Sequence, residues 1–274
     1  MIVVTGATGN VGRQLVRTLA AAGEQVTALS RKISEQDVPA GVRHRQADLA
    51  EPESLAPALH GAGALFLLTS ADFMANGDLD EILNVVRTAG VPRIVLLSSQ
   101  GVGTQRHSSH LEDAVKRSGL GWTMLQPGNF DSNALQWAGS VRTQRVVAAP
   151  FGGVAVPAVD PADIAEVAAV ALREPGHEGN TYTLTGPAPI SPRQQAAAIG
   201  DALGEPVRFA ELSRAEARSQ MLGYMPEPVV EATLGALGTP SAAEQRVSPD
   251  VERLLGRPPR TFADWAGRNI AAFA

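Results

Sequence analysis

Two stretches of the chain carry residue types at spacings that do chemistry. The first is VTGATGNVGRQLV, residues 4–16, with glycines at 6, 9 and 12. A glycine has no Cβ, so the backbone turns tightly and an anionic ligand can approach the main chain. The run follows a short apolar segment and opens a helical pattern with Leu15 and Leu19. In that strand–loop–helix context, free N–H groups and the positive end of the helix dipole favour a pyrophosphate. The spacing points to a dinucleotide held by Gly6, Thr8, Gly9, Asn10, Val11 and Gly12. A Gly-rich turn without a ligand is the alternative.

The second stretch, HSSHLEDAVKRSG (107–119), gathers histidines, serines, acids and a lysine. A proton-transfer centre and a solvated helix face both look like this. Ser109 and Glu112 fit an S-x-x-E capping box with Ser109 as N-cap. Leu111, Ala114 and Val115 make a stripe for the core. Glu112 and Lys116 form an i,i+4 pair worth about 0.3–0.5 kcal/mol, and Gly119 ends the helix. These structural roles account for Ser109, Glu112 and Lys116. His107, Ser108 and His110 are left at the helix start as proton-donor candidates, because imidazole titrates near neutrality.

The elements that must position these groups alternate. Strand-like runs at 2–5, 25–30, 42–49, 64–68, 93–99 and 121–127 are separated by helical patterns at 13–23, 53–62 and 78–90. Such alternation predicts an α/β fold, a Rossmann-type doubly wound parallel sheet whose ligands sit at the carboxyl ends of the strands. Further on come a helix at 161–176, a strand at 180–186, and helical segments near 191–203, 213–223 and 227–237. The expected division is a dinucleotide-binding domain over 1–150 and a smaller, mostly helical substrate part over 151–274. That second part is expected to pack on the first and return some elements to it.

Composition narrows the function. The 274 residues are 44% hydrophobic and 19% charged, with net charge −5 and no cysteine. A nucleic-acid footprint would want clustered Lys and Arg, so that class is set aside. No thiolate metal site or disulfide is available, and no metal is expected. No apolar run approaches the ~18 residues of a membrane span. The cytoplasm is the expected location, as a monomer or homodimer.

The second strand chooses the dinucleotide. Where an acidic residue would bond a ribose 2′-hydroxyl, the chain reads Ser30-Arg31-Lys32. Arg31 can hold a 2′-phosphate by a charge-assisted fork, so the expected cofactor is NADP(H). A solvated basic loop is the alternative. Asp48 and Leu49 after the third strand suit an adenine contact, Asp48 being equally an Asp before a turn. Thr69 and Ser70 after the fourth strand border the same crevice.

The motifs VTGATGNVG, IVLLSSQG, SGLGWTMLQPGNFDSN, VAVPAVDPADIAEVAAVAL and LLGRPPRTFADWAGRNIAAF occur in that order. On them the chain resembles the NmrA-like branch of the atypical short-chain dehydrogenases/reductases over nearly its whole length. That family includes NADPH-dependent quinone and ketone reductases, plant phenylpropanoid reductases, and redox sensors that bind NADP without turnover. The resemblance implies that Ser98, Pro127, Gly128, Asn129 and Phe130 line the nicotinamide end.

Short-chain reductases typically protonate the carbonyl with a Tyr four residues before a Lys. Here Lys116 is preceded at that distance by Glu112, and Lys32 by Ala28. Tyr182 and Tyr224 are followed by Gly186 and Pro228, so the dyad is absent in any register. The lysine position of related reductases falls near Ser108 and the tyrosine position near Thr104. Gln100 stands about where the catalytic serine would. Hydride transfer needs positioning more than a protein acid, so the expected substrate is flat and apolar. A quinone or an aromatic ketone, polyketides of secondary metabolism among them, can find its proton in itself or in solvent. Phe130, Trp137, Phe151, Met221, Tyr224 and Met225 are the expected substrate wall, with 220–228 as a lid; ordinary core packing is the alternative for each. A non-catalytic NADP(H) sensor is the second function to weigh. Arg31→Asp should weaken NADPH binding far more than NADH binding in titrations of the two cofactors, and equal losses would remove the 2′-phosphate assignment.

Overall fold

The computed structural model describes residues 1–69, 73 and 77–274; Ser70 lies outside them. By packing, the chain divides into two units. Met1–Pro127, Pro161–Leu184 and Asp250–Arg257 form the first, and Gly128–Asp160, Thr185–Pro249 and Pro258–Ala274 the second. Both units are discontinuous: the chain first leaves the first unit at Pro127, and Pro161–Leu184 and Asp250–Arg257 return to it.

The first unit is built on a parallel sheet of β1 (Ile2–Val4), β2 (Val26–Ser30), β3 (Arg43–Gln46), β4 (Ala64–Leu67), β5 (Arg93–Leu97), β6 (Gly121–Pro127) and β8 (Asn180–Leu184). The strand order is β3-β2-β1-β4-β5-β6-β8. Val3 pairs with Thr27 on one side and Leu65 on the other. The winding reverses between β1 and β4, which opens a crevice beyond their carboxyl ends. β1 and β4 are wholly buried, which is why both read as unbroken apolar runs rather than alternating ones. β3, at the sheet edge, exposes all four of its polar residues, a device that discourages pairing with another chain.

Helices cover the strands. α1 (Asn10–Ala21) buries Val11, Leu15, Val16 and Leu19 and packs against α7 (Pro161–Arg173), whose Ile164, Val167, Ala168 and Leu172 are fully buried. Arg257 reaches the buried Asp163 at 2.7 Å and also bonds Glu166, tying the 250–257 segment to α7. The helix expected over 53–62 is a 3₁₀ turn, Pro52–Leu55, running into the four-residue α2 (Ala56–Leu59). Pro57 lacks the N–H that a continuous helix from 53 would donate to the Glu53 carbonyl. α3 (Leu79–Thr88) starts on Asp78, whose side chain accepts from the Asp80 N–H at 2.8 Å. α4 (Gln100–Gly103) and α5 (His110–Arg117) lie between β5 and β6. Among the described residues, no helix is long and apolar enough to cross a membrane.

The second unit holds α6 (Ala138–Gln144), α8 (Pro192–Leu203), α9 (Arg214–Met221), α10 (Glu227–Gly238) and α12 (Phe262–Arg268); α11 (Asp250–Leu255) belongs to the first. Capping boxes open α8 on Ser191 and Gln194, α9 on Ser213 and Glu216, and α12 on Thr261 and Asp264. β7 (Val146–Pro150) and β9 (Arg208–Leu212) pair in parallel, with Val147 opposite Phe209, a pair the sequence pattern did not announce. The core of this unit gathers Trp137, Ile199, Phe262, Trp265 and Phe273.

Phe66, at the centre of the sheet in the first unit, is fully buried. Truncating such a ring leaves a cavity as well as a transfer penalty. Phe66→Ala should therefore cost about 3–5 kcal/mol in urea unfolding, and a loss under about 1 kcal/mol would mean that this core is not packed as described.

Candidate active site

The glycine loop turns where glycine is required. Gly6 has φ +62°, and a Cβ there would stand 2.9 Å from Leu68 Cδ2. A Cβ on Gly12 would fall 2.2 Å from the Gly6 carbonyl oxygen, an impossible contact, whereas one on Gly9 would stand 3.2 Å from the same atom. The loop is tied to its neighbours by hydrogen bonds. Thr5 Oγ1 donates to Leu68 O at 3.1 Å, the Ala7 N–H donates to Leu29 O at 3.0 Å, and Thr8 Oγ1 lies 2.9 Å from Ser30 Oγ. α1 then begins at Asn10 with no side-chain cap on its first turn, so backbone N–H groups remain for a ligand. Arg31 follows β2 directly and is exposed. Asp48 Oδ1 accepts from the Ala50 N–H at 3.0 Å, the geometry of an Asp opening a turn. Leu49 packs on the core and Thr69 is half-buried after β4.

At the end of β5 the structure corrects one expectation. Ser109 is the residue before α5, but its side chain caps no backbone N–H; its hydroxyl donates to Asp113 at 2.7 Å. Glu112 does not complete a capping box. Its carboxyl turns inward, 3% exposed as a residue, and accepts from Ser98 Oγ at 2.6 Å, Gln126 Nε2 at 2.8 Å and Lys116 Nζ at 3.3 Å. The i,i+4 pair to Lys116 is present as expected, yet the interior partners decide where the carboxyl points. A buried carboxyl without donors is costly, so Ser98 and Gln126 outcompete the helix N-terminus.

The histidines stand apart from this network. His107 is exposed; its Nδ1 lies 3.1 Å from Ser99 Oγ, which also accepts from the Gly101 N–H and so caps α4. His110 Nδ1 lies 3.1 Å from Ser108 Oγ, and both residues are exposed. His177 has Nδ1 2.9 Å from the Tyr182 hydroxyl, with the rings edge to face. Burial pushes the Tyr182 phenol above its ordinary pKa; Arg253 opposes the rise and Asp250 adds to it. That makes it a weaker proton donor.

The remaining expected site residues, Pro127 apart, are in the second unit. Pro127 ends β6 in the first. Asn129 and Phe130 are pinned by Val159, whose N–H donates to Asn129 O at 2.7 Å, with an isolated bridge from Phe130 to Val159. Trp137 is buried in the aromatic core, away from Phe151, Met221 and Met225, which pack around Ala217, Val230 and Leu234. Phe151 holds the left-handed φ of +55°, a conformation a bulky side chain keeps only where its surroundings demand it. Its ring lies against Gly238, where a Cβ would stand 2.7 Å from it. Tyr224 is 66% exposed. The structure thus brings Phe151, Met221 and Met225 to one cluster and leaves Trp137 out of it.

A family model described as NAD(P)H-binding matches residues 6–175. The chain belongs to that NAD(P)H-binding family. Its relatives are oxidoreductases of the atypical short-chain, NmrA-like type. It is 39% identical to (4-alkanoyl-5-oxo-2,5-dihydrofuran-3-yl)methyl phosphate reductase of Streptomyces griseus, covering 100% of this chain and 99% of the relative. It is 35% identical to an NAD(P)H azoreductase of Xenophilus azovorans, again over 100% and 99%. The NADPH complex of the quinone oxidoreductase QOR2 from Escherichia coli superposes with a TM-score of 0.83 at 25% identity, over 98% of this chain and 99% of that one.

The residues present fit the family's cofactor. The loop is stripped of Cβ atoms where a pyrophosphate needs the backbone, and the helix behind it is uncapped. Because its Cβ meets backbone rather than a flexible side chain, Gly12→Ala should weaken NADPH binding by about five- to 150-fold, as overpacking of ~1–3 kcal/mol pushes α1 off the loop. Gly9→Ala should weaken it much less. Fluorescence titration of both variants checks the ranking, and equal affinities would contradict it.

Proposed function

We propose that the chain is an NADPH-dependent reductase that delivers hydride to a flat, electron-poor, apolar acceptor such as a quinone or an aromatic ketone. The observation that carries this reading is the cofactor cradle itself, closed by Gly12 on Gly6 and followed at β2 by Arg31 in place of an acid. Full-length similarity to two reductases supports it. An azo group, a quinone and a conjugated oxo-dihydrofuran are all electron-poor π systems, so the activities these relatives are named for share one acceptor chemistry.

In this reading the bound nicotinamide supplies the hydride. The loop of Gly6, Thr8, Gly9, Asn10, Val11 and Gly12 holds the pyrophosphate by backbone N–H groups and the α1 dipole. Arg31 discriminates for the 2′-phosphate, with Ser30 held by Thr8 alongside it. Asp48, Leu49 and Thr69 border the adenosine and pyrophosphate half; Ser98, Pro127, Asn129 and Phe130 serve the nicotinamide half. Phe130, Phe151, Met221, Tyr224 and Met225 contribute apolar surface for substrate, Met adapting to irregular shapes; Trp137 contributes as core support.

No Tyr–Lys pair supplies a proton: position 112, four residues before Lys116, is Glu and is engaged with Ser98. The proton then comes from substrate or solvent, with His107, Ser108 and His110 as the exposed groups able to relay it. A redox sensor that binds NADP(H) without turnover is the competing role, and the missing dyad is what favours it. Stopped-flow NADPH oxidation with a panel of quinones, hydroxyaryl ketones and azo dyes separates the two. Hydride transfer to at least one class is expected; tight NADPH binding without oxidation by any of them would favour the sensor.

A further inference from the structure

The Ser98–Glu112–Gln126 network is not consumed by the roles given so far. Ser98 is the first residue after β5, and its N–H is already spent on Leu125 O at 2.8 Å. β5 lies on the β4 side of the reversal in strand order, opposite the β2 side where Arg31 stands, so Ser98 belongs to the nicotinamide half of a dinucleotide laid across the sheet. Its hydroxyl carries a single hydrogen, and that hydrogen goes to Glu112 Oε1 at 2.6 Å.

Glu112 is held in place to receive it. Gln126, in β6, donates to the same oxygen at 2.8 Å, and Lys116 donates to Oε2 at 3.3 Å. Gly103 leaves room for the Gln126 amide in that position: a Cβ there would stand 2.6 Å from Gln126 Oε1. Three elements, β5, β6 and α5, therefore converge on one nine-tenths-buried carboxyl. With its hydrogen committed, half-buried Ser98 has only lone pairs left to offer a ligand. A hydroxyl free to rotate would bond a carbonyl or an amine; this one can take only an N–H.

We propose that Glu112 is a positioning residue that fixes Ser98 as a pure acceptor, selecting the primary-amide N–H of the cofactor's nicotinamide and so setting the orientation of that ring. This rests on the cofactor assignment above and gives a function to the buried carboxyl four residues before Lys116. It also explains why a carboxyl is buried in a helix whose surface has ample room for it.

The test reads binding rather than turnover. NADP⁺, its thionicotinamide analogue, which keeps the –NH₂, and its 3-acetylpyridine analogue, which replaces it by methyl, are titrated calorimetrically into the full chain. Loss of one such hydrogen bond corresponds to about three- to tenfold in Kd. The wild type should bind the acetylpyridine analogue that much more weakly than NADP⁺ and the thio analogue within about twofold. Ser98→Ala should erase the discrimination. Glu112→Met should erase it as well, while Glu112→Gln, which keeps an acceptor at the Oε1 position, should retain it; a general loss of packing would not sort the two analogues this way. Ser98→Ala is half-buried and decides the matter even if Glu112→Met does not fold. Equal wild-type affinities for the analogues, or discrimination that survives Ser98→Ala or a folded Glu112→Met, overturns the proposal while leaving the cofactor assignment standing. A Glu112→Gln loss as large as that of Glu112→Met overturns it equally. Failure of the wild type to bind any of the three dinucleotides removes the cofactor assignment and this inference together.

Discussion

The approach of Gly12 to the carbonyl of Gly6 is the contact on which the first unit's site depends. With no Cβ between them, α1 can start directly beneath the loop that leaves β1. Only then do the helix's first N–H groups converge on the crevice where the sheet reverses direction. The neighbouring ties follow from that closeness. Thr5 locks onto β4 through Phe66 and Leu68, Ala7 onto β2 through Leu29, and Thr8 meets Ser30. The cradle is thus a property of three adjacent strands and one helix, and the rigidity of the parallel sheet is what holds it open.

A second constraint lies at the far end of the same edge. A carboxyl enters the protein interior between β5, β6 and α5 and must find donors there. Ser98, Gln126 and Lys116 meet that demand, and in meeting it their own hydrogens are directed. The Ser98 and Gln126 side chains are accordingly oriented from behind by a carboxyl in the interior.

Much of the first unit was legible in the chain. β6 falls at the expected 121–127, and β1, β4 and β5 lie within the apolar runs that announce them, because strands buried on both faces leave an unmistakable continuous signal. The Gly6-Gly9-Gly12 spacing and the change to an amphipathic pattern placed the cradle. Less was legible where tertiary partners compete with local ones. Ser109 and Glu112 satisfy the local rule for a capping box, yet Glu112 bonds Ser98, fourteen residues away, and Ser109 bonds Asp113 instead. His177 and Tyr182 meet across the turn that leads into β8, a pairing that no local spacing rule announces. Trp137 had the composition of a ligand wall and lies in the aromatic core with Trp265 and Phe273.

The sequence by itself determined the seven strands of the parallel sheet, the glycine cradle, the basic residue after β2 and the absence of a tyrosine four residues before a lysine. Each of these is a matter of residue type at short spacing, where steric and hydrogen-bonding rules act along the chain. Tertiary structure alone decided that Glu112 faces inward, that Gly103 makes room for Gln126, and that Phe151 is held in a left-handed turn against Gly238. Those outcomes depend on which donors and surfaces distant segments bring to one place. A buried carboxyl or a constrained ring takes its energy from those partners, and spacing within its own segment carries no record of them.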